Sequence, residues 1–222
     1  AIKRDDVINA AFMGRGEPIF GFPTIVGQNG YDGKYDNYFS YDPEKAKELL
    51  AEAGYPDGFS CKLLSSSTYA MHEQTAVCVQ SSLAEIGIKV ELELPDWATR
   101  IERSNVGDYD MMVSGTTGNI VDMDWATNYY ESGDVRMNSC PGFADDKIDE
   151  LLQKGRTTLD EKEREEIYDQ FRERALELSP FVFINFREQV FATAKNVHGF
   201  QNLDGILTYL SGLTLQDTYV EE

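Results

Sequence analysis

Cysteine and histidine are scarce in this sequence, with three of the first and two of the second among 222 residues. Cys61, Cys78 and Cys140 have no CxxC spacing, and His72 and His198 stand too far apart to pair locally, which argues against a structural zinc site. An odd cysteine count permits at most one intramolecular disulfide and so leaves the redox compartment open. Positive charge is also short. Twenty Lys and Arg face thirty-nine Asp and Glu, and the resulting net charge of −19 repels a phosphate backbone, so nucleic acid is excluded as a partner. No apolar run approaches the roughly 20 residues of a membrane-spanning helix, and residues 1–6 lack the apolar centre of a signal peptide.

What is present suffices for a core. Apolar residues make up 41 % of the chain and aromatics 12 %, enough for one generous domain or two small ones. The chain opens directly on a helical pattern over residues 4–13 with no leader before it, so we expect a piece of a longer protein. Asp42-Pro43 opens the clearest helix: Asp42 caps, Pro43 suits the first turn, Ala46, Leu49, Leu50 and Ala53 share a face, and Gly54 stops it. A strand is expected at 60–65, and a helix at 70–86 with Ala76, Val79, Leu83 and Ile86 inward and Gly87 as its end. Strict alternation of Ile88, Val90, Leu92 and Leu94 with charged residues marks the next strand. A helix at 97–104 and a strand at 109–113 complete a βαβαβ unit, whose short joints require parallel strands. Such a unit places its ligand crevice beyond the carboxyl ends of the strands, here at loops 65–69 and 114–124.

Beyond Cys140-Pro141-Gly142 the pattern gives two helices. The first, 145–155, turns Ile148, Leu151 and Leu152 inward; the second, 161–178, turns Ile167, Phe171, Ala175 and Leu178 inward, with Asp160 and Glu163 at capping-box spacing. Residues 181–186 and 189–194 read as buried strands joined in a late β-hairpin by Arg187-Glu188. Residues 20–40, rich in Gly and Tyr, read as a long surface loop, and the tail from 200 to 222 is weakly patterned.

Catalytic signatures are few. There is no GxSxG elbow and no phosphate-cradling loop, and His72-Glu73 lacks the second histidine of a zinc protease. Asp122 and Asp124 could hold a divalent ion or act as paired carboxylates in a hydrolase, and they equally suit a turn or a helix cap. Thr127 replaces the obligatory glycine of an EF-hand loop. Trp97, just after a strand end, serves either packing or an aromatic wall for an organic ligand.

The segments AIKRDDVINAAFMGRGEP, YDPEKAKELLAEAGYPDGF, LAEIGIKVELELPDW, GDYDMMVSG and FADDKIDELLQKGRTTLDEKEREEIYDQFRERALELSP, in this order and spacing, carry a family resemblance. The chain resembles the carboxyl-terminal lobe of the family 5 solute-binding proteins that deliver oligopeptides, dipeptides, nickel and other solutes to ABC importers. The resemblance implies an α/β fold, a periplasmic-binding-protein-like lobe with a βαβαβ core, spanning residues 1–222 as one lobe. It also implies an absent amino-terminal lobe and the importer's membrane subunits as partners. It implies no catalysis, no cofactor, and an extracytoplasmic place, either periplasm or cell-surface lipoprotein. It puts Trp97 at a ligand-facing tryptophan and Ser66 at a polar contact. Thr116 falls where oligopeptide-binding relatives have a second tryptophan, and Asn119 where their aspartate pairs with the peptide amino terminus. Asp122 lies where relatives often carry another acid. The expected function is capture of a peptide or peptide-sized solute, with Ser66, Thr116 and Thr117 fixing polar atoms and Asn119 or Asp122 setting end-group preference. An oligosaccharide or a metal chelate is the alternative cargo.

Overall fold

A computed structural model describes residues 1–24, 33–115, 122–188, 190–201 and 215–221. The helix α1 (Arg4–Phe12) leads into the short strand β1 (Gly16–Pro18). After α2 (Pro43–Glu52) the chain alternates: β2 (Ser60–Leu64), α3 (Ala70–Ala84), β3 (Lys89–Glu93), α4 (Trp97–Asn105) and β4 (Met111–Met112). The three strands form one parallel sheet in the order β3-β2-β4, with Leu63 opposite both Leu92 and Met111. The βαβαβ unit expected from periodicity is therefore present, with its first strand in the middle.

Cys61 and Leu63 of β2 and Val90 of β3 meet Ala76 and Val79 of α3 and Val7 of α1 in one buried cluster. Gly87, at φ 89°, turns the chain out of α3 in a conformation that L side chains rarely adopt. It packs so closely on Gly58 that a Cβ at position 58 would meet the Gly87 carbonyl.

A second cluster is built on the antiparallel pair α6 (Asp146–Thr157) and α7 (Glu161–Leu178). Ile148 and Phe171 are wholly buried, and Tyr130 from the short helix α5 (Thr127–Tyr130) sets its ring edge-on to Phe171 at 5.2 Å. Gly155 lies directly against the Tyr168 ring, where no Cβ fits. Four aspartates cap helices as expected for this residue: Asp42, Asp96, Asp145 and Asp160 accept from the amides of Lys45, Thr99, Ile148 and Glu163 at 2.9–3.0 Å.

Four expectations need correction. The late hairpin does not form: β5 (Asn185–Arg187) pairs antiparallel with β1, so Arg187 sits inside a strand rather than in a turn, and residues 191–194 are irregular. The distant β1 supplies the hydrogen-bonding partner that local sequence could not reveal. The segment 20–40 is not merely surface, because Phe22 and Tyr35 are buried in the second cluster. No residue of α2 is buried and Leu49 is half-exposed, so its apolar face is only grazed by the core through Ala46 and Leu50. Leu178, at the last turn of α7, is also exposed. In the tail, β6 (Val197–His198) pairs antiparallel with β7 (Tyr219–Val220). Among the described residues no helix is long and apolar enough to cross a membrane.

Candidate functional site

The parallel sheet directs all three strand ends to one edge, and the backbone there is laced together. Val113 N–H donates to the Leu64 carbonyl at 2.9 Å, Ser65 N–H to Glu93 at 2.9 Å, and Ser67 N–H to Pro95 at 3.1 Å. These bonds extend the ladder past the strands and fix loop 65–69 beside the start of α4. Ser66, fully buried, accepts from the Thr68 amide at 3.2 Å, and the Thr68 hydroxyl accepts from Trp97 N–H at 3.0 Å. Ser66, which sequence reasoning placed on a loop, and Trp97, which it placed at a helix start, are thus joined through Thr68.

Trp97 is half-buried and surrounded. Tyr69 and His72 stand edge-on to it, with ring centroids at 5.1 and 5.4 Å, and the Arg100 guanidinium lies over its ring at 4.8 Å. Arg100 is one turn on from Trp97 in α4 and 1 % exposed; its Nη2 donates to the Val113 carbonyl at 2.9 Å. His72 belongs to the first turn of α3. Burial, reinforced by the charges of Arg100 and Arg187, holds its imidazole below the usual histidine range, which favours the neutral ring. The result is an aromatic wall with basic groups behind it, able to stack on a planar or apolar part of an organic molecule.

Thr116, Thr117 and Asn119 lie outside the described residues. Asp122 is described and is engaged. Its Oδ1 accepts from the Asp124 amide at 2.8 Å, capping a 3₁₀ turn over Met123–Ala126, and its two oxygens accept from Arg164 at 2.7 and 2.9 Å. Arg164 holds the Asp122 carboxyl below the ordinary carboxylate range. Asp124 accepts from Arg156 Nε at 3.1 Å and from the Thr127 hydroxyl at 3.0 Å. The two carboxylates are tied to different arginines of α6 and α7 and cap a turn, the structural use of an Asp-x-Asp triplet. A general acid at Asp122 would need the opposite shift.

Comparison with known proteins decides the family. Residues 1–138 match the model of the bacterial extracellular solute-binding proteins, family 5 Middle. The chain belongs to that family. The whole chain also superposes on the PBP AgaA from A. tumefaciens R10, solved in complex with agropinic acid, with TM-score 0.91 and 51 % identity, covering 46 % of that chain. It superposes on the periplasmic binding protein DppA from Helicobacter pylori, solved with the peptide STSA, with TM-score 0.83 and 29 % identity over the whole chain and 42 % of that one. A dipeptide-binding protein of Pseudomonas aeruginosa is 28 % identical over 207 residues, 90 % of this chain and 38 % of that protein. The chain therefore spans less than half the length of these relatives.

Within this family 5 fold, the residues that sequence reasoning passed over are Tyr69, His72 and Arg100. Helical spacing was the available signal: His72 follows Tyr69 by three residues and Arg100 follows Trp97 by three, so each pair shares a face. That the two pairs meet each other could come only from the sheet.

Proposed function

We propose that this chain is one lobe of a solute-binding protein that captures a small organic solute, peptide or peptide-sized, and hands it to an ABC importer outside the cytoplasm, in the periplasm or as a cell-surface lipoprotein. The observation that carries this reading is the wall of Trp97, Tyr69 and His72 above the ends of three parallel strands. Trp97 stacks on the cargo, buried Ser66 holds the neighbouring loop in place through Thr68, the threonines at 116 and 117 supply polar contacts, and Asn119, with Asp122 held by Arg164, sets the preference for its end groups. A second lobe closes over the other side and expels water. No bond is made or broken. Identity of 51 % with a protein whose structure holds agropinic acid, against 28–29 % with the peptide and dipeptide binders, favours a non-peptide organic solute within this range.

Calorimetry on the full-length protein tests the reading with agropinic acid and a panel of di- and tetrapeptides. At least one is expected to bind with micromolar or tighter affinity, and Trp97→Ala is expected to weaken it about tenfold, the worth of a ring contact together with its buried area. Binding by none of them, or binding untouched by Trp97→Ala, sinks the assignment.

A further inference from the structure

Two arginines on α4 have opposite surroundings. Arg103 pairs with Glu93 and Asp108 in the usual way of an acidic chain. Arg100, one turn earlier and 1 % exposed, has no carboxylate in ion-pair reach among the described residues. Its guanidinium is held at two points only: over the Trp97 ring at 4.8 Å, and at the Val113 carbonyl, to which Nη2 donates at 2.9 Å. Its Nε–H is buried with no acceptor. Taking a guanidinium out of water for one neutral hydrogen bond and one ring is a desolvation cost that stability alone does not account for. Trp97, in turn, lacks support from its own helix. It is the first residue of α4, so its side chain leans back past the helix end, where no earlier turn underlies it. The Thr68 hydroxyl fixes the Trp97 backbone N–H at 3.0 Å and leaves the two side-chain torsions to other contacts. Arg100, three residues on, leans the same way and covers the ring. Val113 follows the last strand of the sheet, and its own N–H donates to the Leu64 carbonyl at 2.9 Å. The guanidinium therefore ties the indole to the sheet.

We infer that Arg100 is a positioning residue: tethered to the end of β4, it holds the Trp97 ring in its stacking orientation before any cargo arrives. The inference rests on the solute-binding reading and specifies how the stacking residue is kept ready. A planar guanidinium can lie against an indole and still donate within its own plane to a carbonyl, whereas an ammonium, a single point of charge, cannot serve both at once. A ring already ordered in the empty protein does not have to be immobilised on binding, which contributes about two- to tenfold in affinity for one side chain. Arg100 acts through Trp97 and need not touch the cargo.

The test is a double-mutant cycle on the full-length protein, read by calorimetry with agropinic acid and the same peptide panel. Arg100→Met keeps the bulk and removes the charge. It is expected to weaken binding about fivefold when Trp97 is present and by less than about 1.5-fold in the Trp97→Ala background, where no ring is left to position. In ¹⁵N relaxation of the ligand-free protein, the order parameter of the Trp97 indole N–H falls in Arg100→Met from about 0.85 to below about 0.6 while the backbone amides of α4 keep theirs, a change that general destabilisation does not produce. Arg100→Lys keeps the charge and loses the fork; it shifts both readouts the same way by a smaller amount and decides the matter if Arg100→Met misfolds. Equal losses in the two backgrounds, or an indole as rigid in the variants as in the wild type, overturn this inference and leave solute binding intact. Failure of every probe to bind overturns solute binding itself, and the indole relaxation, which needs no ligand, then decides the positioning role alone.

Discussion

At the scale of single residues, the acid excess resolves into assigned work. Asp42, Asp96, Asp145 and Asp160 cap helices, and Asp122 and Asp124 hold arginines of α6 and α7. Because Arg164 depresses the Asp122 carboxyl, that ion pair contributes stability above the ordinary value of about 3.8, and the contribution is lost as pH falls through the lower folded value. Arg164→Ala is expected to return the Asp122 carboxyl toward its ordinary value and to remove that share of the acid-limb slope, read by NMR titration and by urea unfolding below pH 4. Asn119 offers a second test. Introducing the charge that the resemblance assigns to this position in peptide binders, Asn119→Asp, is expected to strengthen peptide binding by one to two powers of ten in the full-length protein. No change in the peptide Kd would remove Asn119 from the binding loop.

At the scale of elements, burial decides what each helix contributes. Phe171 in α7 is fully enclosed and touches Tyr130 and Phe22, so Phe171→Ala is expected to cost about 3–5 kcal/mol in denaturant unfolding. Leu49 on α2 is half-exposed, and Leu49→Gln is expected to stay within about 0.5 kcal/mol. Periodicity alone ranks these two leucine-and-aromatic faces alike, since each repeats at helical spacing. Only the neighbours differ: α6 covers α7, whereas the core meets α2 at little more than Ala46 and Leu50. The same reason explains the lost hairpin. Residues 181–194 are apolar enough for two strands, but the ladder of Asn185–Arg187 is completed by Gly16–Pro18, more than a hundred residues earlier in the chain.

At the scale of the whole molecule, the chain covers under half of its relatives' length, and we expect it to grip cargo from one side only. The isolated 222 residues should therefore bind peptides and agropinic acid far more weakly than the full-length protein, because one face of the ligand stays in water. Submicromolar binding by the isolated chain in calorimetry would contradict the clamp.

Sequence by itself determined the parallel βαβαβ core, the capped helices and the position of Ser66 and Trp97 at strand ends. These depend on composition and on patterns a few residues long: alternation, three-and-four spacing, Asp before a helix and Gly after it. The tertiary structure alone decided that β1 takes β5, that Asp122 and Asp124 are held by Arg164 and Arg156, and that Tyr69, His72 and Arg100 gather on Trp97. Each of those meetings joins residues distant in the chain, and a distant pair leaves no period in the sequence; it exists only once the sheet and helices have packed and closed the gaps between them.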